Sequence, residues 1–255
     1  MKIGAQLFSL RTECDTTEKL KVTFGRVKKM GYDIAQASAI CEIDPYLLRS
    51  YVDEFSLPVL CTHRSLAEIT ERTEECINFH KIIGSPCIGL GAMPSEMKGS
   101  LDGLKHFANL LAEPVKKIRS AGLSFAYHNH AFDFECWDGV VPYDYMIENT
   151  EFDFIHDVYW SIYAGKNAMD YIKLLGETGR MQNIHFKDMK TAPQGAICPC
   201  GDGIIDFAQL AHCCKKYGIE NVYVEQDNAP DLGDPFVQME SSLNHLKSIF
   251  NKEGL

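Results

Sequence analysis

The sequence lacks a surplus of basic residues and any long apolar run, and each absence excludes a class of protein. Lysine and arginine number 25 against 35 aspartates and glutamates, which gives a net charge of −10 over 255 residues. A nucleic-acid-binding surface needs basic side chains against phosphates, so we expect no nucleic-acid partner. No apolar run approaches the roughly 18 residues that span a bilayer, so we expect no membrane segment.

Cysteine is plentiful, but the motifs that would give it a role are absent. The ten cysteines are scattered, and several lie in apolar segments where a free thiol behaves as a small hydrophobe. Cys198-Pro-Cys200 has no second pair at zinc-ribbon spacing and is a weak metal candidate. The chain opens directly as a predicted strand, without a signal-peptide pattern. We therefore expect reduced thiols and a cytoplasmic location.

Short apolar segments alternate with segments of helical spacing along the whole chain. The predicted strands are Ile3–Phe8, Asp33–Ala37, Leu57–Cys61, Cys87–Leu90, Leu123–Tyr127, Phe152–Asp157, Met181–Phe186 and Val222–Glu225. The predicted helices are Thr16–Met30, Pro45–Phe55, Ile69–Ile83, Leu101–Ala121 with a kink or split at Pro114, Pro142–Glu148, a helix containing Met169–Leu175, Phe207–Tyr217 and Pro235–Phe250.

Eight such units predict an α/β fold, a (β/α)8 TIM barrel in a single domain over residues 1–255. The competing fold is the doubly wound open sheet. That fold most often carries a glycine-rich dinucleotide fingerprint after its first strand, and none follows here.

The fifth predicted strand ends abruptly at His128-Asn129-His130. Because strand side chains alternate between faces, His128 and His130 are expected to point the same way and Asn129 the other. Two adjacent imidazoles at the end of a buried strand suit a metal site or a proton-transfer site. A pair of hydrogen-bonded structural histidines is the alternative.

The next three strands also end in polar residues that suit a metal. They supply Asp157, His185 and Glu225. In a barrel the carboxyl ends of the strands meet at one face, so these side chains are expected to converge. Two histidines, one aspartate and one glutamate form a mixed nitrogen and oxygen set, which suits a divalent transition ion and not Ca²⁺. Each residue alone has a structural alternative, as a helix cap, a core histidine or an ion-pair partner.

Other polar residues are expected on the same rim. Gln6, His63, Trp160 and Lys187 are candidates for substrate binding. Trp160 offers a flat apolar platform for a sugar face, or simply packs, whereas Lys187 contacts a substrate oxygen or lies in solvent. We expect Gly201-Asp-Gly203 to form a tight turn that presents backbone amides.

Five motifs follow one another along the second half of the chain. They are Tyr-His-Asn-His at 127–130, Asp-x-x-Trp-x-x-x-x-Gly at 157–165, His-x-Lys-Asp at 185–188, Gly-x-Gly-x-x-Asp at 201–206 and Val-Glu-Gln-Asp at 224–227. In this order they resemble the motifs of the xylose isomerase-like TIM barrels, and more narrowly those of the sugar phosphate isomerases/epimerases. The opening segment Ile3–Arg11 is similar too, and the likeness covers essentially the whole chain.

The resemblance implies a divalent metal at the barrel mouth. The ketose epimerases of this family bind it with Glu, Asp, His and Glu, and their two glutamates carry protons on opposite faces of the sugar. Asp157, His185 and Glu225 match the last three ligands, and His128 falls on the first glutamate. Trp160 falls where those epimerases place a substrate-contacting histidine. The metal is expected to be manganese, with cobalt, iron, zinc or magnesium as alternatives.

His128 departs from the family pattern, because a histidine stands where the epimerases have a glutamate. A second type of reaction is therefore also expected. A His–Glu pair still supports epimerisation, but it equally supports deprotonation on one side only. The resemblance then extends to the α subunit of bacterial C-glycoside deglycosidases, a lyase on 3-keto-glycosides that works with a smaller β-rich partner. A homo-oligomer is the other expected assembly.

The sequence therefore predicts a divalent-metal-dependent enzyme that enolises a keto sugar or sugar derivative, of the sugar isomerase/epimerase type. Glu225 or His130 is expected to be the base, and His128 a ligand or second proton carrier. The lyase is the closest alternative. An apurinic endonuclease-like nuclease and a non-catalytic scaffold barrel are the remaining ones, and the acidic charge disfavours the nuclease.

Overall fold

Eight parallel strands close into a barrel in the computed structural model, which describes residues Met1–Leu255. The barrel strands are β1 Lys2–Gln6, β2 Ile34–Ala37, β3 Val59–His63, β4 Cys87–Leu90, β5 Ser124–His128, β6 Asp153–Asp157, β7 Met181–Phe186 and β10 Asn221–Val224. Two short strands, β8 Asp188–Met189 and β9 Ile197–Cys198, pair antiparallel outside the barrel. β1 pairs with both β2 and β10, which closes the ring. The predicted (β/α)8 barrel is confirmed, and the open sheet is wrong.

Ten α-helices surround the barrel. They are α1 Thr17–Met30, α2 Pro45–Phe55, α3 Leu66–Thr70, α4 Thr73–Ile83, α5 Leu101–Ser120, α6 Pro142–Asn149, α7 Val158–Tyr163, α8 Ala168–Glu177, α9 Phe207–Lys216 and α10 Pro235–Glu253. Capping residues set several of their ends: Asp206 accepts a hydrogen bond from the Gln209 amide, and Gly31 ends α1 in the left-handed region with φ of 100°. No helix is long and apolar enough to span a membrane.

Several elements of the structure differ from the prediction. The single helix over Ile69–Ile83 is two helices, because Ser65 caps an earlier start and Arg72 leaves helical geometry with φ of −125° and ψ of 39°. Helix α5 runs unbroken through Pro114, whose ring is buried along the face that packs on the barrel. Helix α7 and the β8–β9 hairpin were not predicted. Strand ends otherwise shift by one or two residues, and Leu7–Glu13 is a 3-10 segment.

The barrel interior holds an apolar layer directly beneath its carboxyl-terminal mouth. Cys61, Cys87, Ala126 and Ile155 form this buried cluster. Cys61, Ala126 and Ile155 lie two positions before His63, His128 and Asp157, so side-chain alternation places each pair on the same interior face. The cluster therefore lies directly beneath the mouth on the β3–β6 side of the barrel. None of the ten cysteines of the chain forms a disulfide.

Candidate metal centre

Four buried side chains converge at the carboxyl ends of β5, β6, β7 and β10. His128 and Asp157 are the last residues of β5 and β6, His185 is the fifth residue of β7, and Glu225 directly follows β10. One ligand atom from each lies within 4.8 Å of the others. The structure therefore brings together the four residues that the sequence predicted as a ligand set.

His128 presents its Nε2 atom to this cluster. Its Nδ1 lies 3.1 Å from the carbonyl oxygen of Gly91, which can only accept, so Nδ1 carries a hydrogen and the neutral ring has its lone pair on Nε2. Burial lowers the pKa of this ring, but Asp157 and Glu225 outweigh it and raise that pKa above its ordinary value. Nε2 lies 3.4 Å from Asp157 Oδ2 and 3.8 Å from Glu225 Oε2. A lone pair held towards two carboxylates is the state of the ring that binds a metal.

Two atoms of the cluster are buried without a hydrogen-bond partner, namely His128 Nε2 and Asp157 Oδ2. The Lys187 ammonium lies 3.0 Å from Asp157 Oδ2 but outside hydrogen-bonding geometry. Burying an acceptor unsatisfied costs on the order of 1–3 kcal/mol. Since both atoms are acceptors that face each other, a cation between them would satisfy both, and the donor set fits a divalent ion that takes nitrogen and oxygen ligands.

Asn129 holds the two strands that carry His128 and Asp157 in register. Its Oδ1 accepts the Asp157 amide at 2.8 Å, and its Nδ2 donates to the Asp157 carbonyl at 3.2 Å. The expected alternation is confirmed: Asn129 turns to the neighbouring strand while His128 faces the cluster. Asp157 also caps α7, because its Oδ1 accepts the Trp160 amide at 3.2 Å and leaves Oδ2 for the cluster.

His185 has acceptors on both sides. Its Nδ1 lies 2.8 Å from Glu225 Oε2 and 3.9 Å from Asp157 Oδ2, and its Nε2 lies 2.9 Å from Gln36 Oε1. Gln36 in turn donates from Nε2 to His63 Nε2 at 2.8 Å. Gln36 was not predicted from the sequence, because it sits inside an apolar strand as a single polar residue.

Lys187 is buried at the edge of the cluster, with 1% of its side chain exposed, so the alternative of a solvated lysine is wrong. Its Nζ lies 3.0 Å from Asp157 Oδ2, Glu225 Oε2 and Asp227 Oδ1. Burial alone lowers the pKa of Lys187, but the three carboxylate charges outweigh it and hold that pKa well above its ordinary value. With all three carboxylates ionised, the one ammonium leaves a net charge of −2. A divalent cation would balance that charge.

The pKa values of the two carboxyl ligands are depressed. Burial raises the pKa of Glu225, yet the charges of Lys187 and His185 hold it well below its ordinary value. The pKa of Asp157 is lowered to about 2, because Lys187 and His128 outweigh its burial. Both are therefore ionised at neutral pH, as ligands to a cation must be.

His130 and Trp160 lie beside His128 at the mouth. The His130 ring is 4.8 Å from the His128 ring and 5.4 Å from the Trp160 indole, measured between centroids. His130 stacks on Phe132 with ring centroids 5.6 Å apart. The Nδ1 atom of His130 and the Nε1 atom of Trp160 make no hydrogen bond within the protein. Both are thus buried polar atoms that the protein leaves without a hydrogen-bond partner.

Gln6 and His63 occupy the opposite side of the rim. Gln6 is fully buried: its Oε1 accepts the Phe8 amide at 3.3 Å, and its Nε2 has no partner. The His63 ring lies 5.4 Å from the His128 ring. His63 also lines a cavity of about 860 Å³ between the β2–α2 loop and helix α4.

Asp188 joins two of the sequence motifs into one structural unit. Its carboxylate accepts four backbone N–H groups, those of Met189, Gly201, Gly203 and Ile205. The predicted turn at Gly201–Gly203 does present its amides, but to Asp188. A Cβ at Gly203 would lie 2.3 Å from Asp188 Oδ1, so only glycine fits there. The unit fixes the chain immediately after His185 and Lys187.

No protein-family model and no curated protein matches the chain. Among solved structures it is similar to a sugar phosphate isomerase/epimerase from Parabacteroides distasonis, with 20% identity, a TM-score of 0.81, and coverage of 96% of this chain and 93% of that one. A xylose isomerase domain protein from Alicyclobacillus acidocaldarius matches with 12% identity and a TM-score of 0.75 over 100% of both chains. A probable 3-DHS dehydratase from Bacillus anthracis matches with 10% identity and a TM-score of 0.73, over 97% and 99%.

These likenesses at low identity concern the fold, and they agree with the resemblance drawn from the motifs. The narrower likeness to the C-glycoside deglycosidase α subunit stays a prediction. The chain therefore has the barrel fold of the sugar phosphate isomerase/epimerase and xylose isomerase-like TIM barrel proteins.

Proposed function

We propose that the protein is a divalent-metal-dependent enzyme that enolises a keto sugar or sugar derivative, with isomerisation or epimerisation as the net reaction. The observation that carries this proposal is the buried cluster of His128, Asp157, His185 and Glu225, in which two acceptor atoms make no hydrogen bond. Such a cluster is costly in a protein that binds nothing there. The sugar-enzyme structures of the same fold support the substrate class.

His128, Asp157, His185 and Glu225 would hold the ion, and manganese remains our first expectation. When bound, a divalent cation would polarise the substrate carbonyl and stabilise the negative charge that enolisation places on its oxygen. Mn²⁺, Co²⁺, Fe²⁺ and Zn²⁺ all accept this mixture of ligands, and Mg²⁺ fits less well because it prefers oxygen.

The proton transfer needs a base that reaches the substrate. His130 Nδ1 is free to accept a proton because it makes no hydrogen bond within the protein. Glu225 is the second candidate, although its Oε2 is engaged by His185 at 2.8 Å and Lys187 at 3.0 Å. Removal and return of the proton by two different groups gives epimerisation, and return at the neighbouring carbon gives isomerisation.

The remaining rim residues would bind the substrate. Trp160 offers its indole face and an unpartnered N–H, and Gln6 an unpartnered amide N–H₂ group. Lys187 lies with its Nζ 5.2 Å from the centre of the Trp160 ring, so its charge is next to the same space. The apolar cluster of Cys61, Cys87, Ala126 and Ile155 lies beneath the site on the β3–β6 side.

One observation favours a second candidate, the lyase that cleaves 3-keto-glycosides by β-elimination. The cavity of about 860 Å³ beside His63 is lined by apolar residues, such as Ile40 and Phe79, and by charged ones, such as Arg64 and Glu75, and it is large enough for a drug-sized group. A glycoside has such a second group, whereas a simple ketose has not. The dehydratase with the same fold adds an example of elimination chemistry. This candidate carries the expectation of a smaller β-rich partner; the first leaves a homo-oligomer as the expected assembly.

The test is metal content after purification, followed by C–H exchange in D₂O with ketoses and 3-keto-glucosides. Deuterium in a retained sugar skeleton supports the isomerase or epimerase, and release of the aglycone supports the lyase. Glu225→Gln is expected to lose metal and exchange, whereas Glu220→Gln, an exposed glutamate before the same strand, is expected to keep both. A metal-free protein without exchange contradicts both candidates and leaves the scaffold; metal with cleavage of abasic DNA instead points to the nuclease.

A further inference from the structure

Gln36 connects two imidazoles across the mouth of the barrel. It lies in β2 with none of its surface exposed, and its side chain spans from β7 to β3. Its Oε1 is 2.9 Å from His185 Nε2, and its Nε2 is 2.8 Å from His63 Nε2. The oxygen and the nitrogen of the amide therefore each contact a histidine, and one of these histidines, His185, belongs to the candidate ligand set.

The chemistry of the amide decides where the ring hydrogens are. An amide oxygen only accepts and an amide nitrogen only donates. His185 Nε2 must then carry a hydrogen, and His63 Nε2 must offer a lone pair. A His63 ring that accepts at Nε2 carries its hydrogen on Nδ1.

The direction of the amide follows from the ligand role of His185. His185 turns Nδ1 towards the carboxylates of Glu225 and Asp157. If Nδ1 is the ligand atom, the single hydrogen of the neutral ring lies on Nε2, and Gln36 must present its oxygen there. The opposite amide orientation would place two N–H groups against each other at His185. The amide nitrogen is thereby left for His63.

We propose that Gln36 is a positioning residue that couples the metal site to His63, so that a ligating His185 fixes His63 as an Nδ1–H donor. This inference rests on the proposed metal site. His63 Nδ1 makes no hydrogen bond within the protein, and it lies beside Gly91, where a Cβ would be 3.0 Å from it. The free N–H therefore selects a ligand oxygen with a lone pair, such as a sugar carbonyl or hydroxyl oxygen, and cannot accept from a hydroxyl hydrogen.

Histidine ¹⁵N NMR reads the ring hydrogens directly, without activity. The Zn²⁺-loaded protein is used because Zn²⁺ is diamagnetic, at a pH of about 8, above the ordinary imidazole range. The ring of His63 is identified by its loss in His63→Gln. We expect wild-type His63 to carry its hydrogen on Nδ1.

Two substitutions at Gln36 separate positioning from packing. In Gln36→Glu both carboxylate oxygens accept, so His63 is expected to turn its hydrogen to Nε2 while Zn²⁺ affinity is kept. In Gln36→Met the Nε2 atoms of both rings lose their partner, and Zn²⁺ affinity is expected to fall roughly 10- to 100-fold, as for other groups that orient a ligating histidine. Gln226→Met removes an equally buried amide that touches no histidine, and should leave the His63 ring and Zn²⁺ binding as in the wild type.

The outcomes distinguish this inference from the proposed function. If the wild type binds Zn²⁺ but His63 carries its hydrogen on Nε2, or if Gln36→Glu leaves it on Nδ1, the coupling through Gln36 is wrong and the metal site stands. If the wild type binds no Zn²⁺, Mn²⁺ or Co²⁺, the metal site is wrong and the coupling falls with it.

Discussion

Replacing Asp188 by asparagine is expected to destabilise the protein strongly, although the residue touches no ligand atom. The Asp188 carboxylate is fully buried. It accepts N–H groups at 2.8, 2.9, 3.0 and 3.1 Å, from Met189, Gly201, Gly203 and Ile205 respectively. Each oxygen takes two of these donors. An asparagine has one oxygen and one NH₂ group, so in either orientation two backbone donors face another donor.

The size of the effect follows from that count. A hydrogen bond to a charged group contributes about 1.5–3 kcal/mol, so the loss of two gives about 3–6 kcal/mol. For a chain of this length each kcal/mol lowers Tm by roughly 2–4 °C, so a decrease of roughly 6–24 °C is expected. Because Asp188 directly follows Lys187 and lies three residues after His185, metal affinity should fall as well.

Thermal and urea unfolding of the variant measure the effect. Asp202→Asn is the matched control, since Asp202 belongs to the same turn but is exposed and lies 4.0 Å from its nearest cation, Lys190. An exposed pair of this kind contributes only about 0–1 kcal/mol. If Asp188→Asn loses less than about 1 kcal/mol, or no more than Asp202→Asn, the reasoning from the four amide bonds is refuted.

Three further predictions concern the metal, the base and pH. A divalent metal at 100 times its Kd should stabilise the wild type by about 2.7 kcal/mol, seen as a rise in Tm that EDTA reverses; an equal rise in Asp157→Asn would place the metal elsewhere. His130→Gln should keep metal content but lower the rate of C–H exchange about 10²- to 10⁴-fold, and unchanged exchange would leave Glu225 as the base. The pKa of His80 is lowered to about 4, chiefly by burial. As the pH falls, the imidazole is therefore protonated at a higher pH in the unfolded chain than in the folded protein. Stability should therefore fall by about 3 kcal/mol as pH drops from about 6.5 to about 4, and His80→Gln should remove that part of the slope in urea titrations.

The barrel and the clustering of the four candidate ligands could be predicted because both depend on local signals. Eight apolar strands alternate with helices, and a polar residue at the end of a buried strand is conspicuous in the sequence. Once parallel strands are assumed, their carboxyl ends must meet, which brings His128, Asp157, His185 and Glu225 together without further information. The clustering of these four in the structure agrees with that prediction.

Gln36 and Asp188 show what local signals cannot provide. Gln36 is one amide in an apolar strand, and its partners are 27 and 149 residues away in the chain. In the sequence Asp188 appeared only as part of a motif. Its role depends on the turn at Gly201–Gly203, which the β8–β9 hairpin brings back to the Asp188 carboxylate. Helix α7 was missed because Tyr159, Trp160 and Tyr163 have modest helix propensity, and Asp157 starts the helix as a cap.

The burial of Lys187 among three carboxylates has a consequence for how the molecule is assembled. Closing the barrel brings these three like charges together at one end of it. The ammonium of Lys187, 3.0 Å from each carboxylate, offsets part of their repulsion. Because this compensation comes from the chain itself, we expect the barrel to fold without a bound ion, and any metal at the proposed site to be taken up by the folded protein.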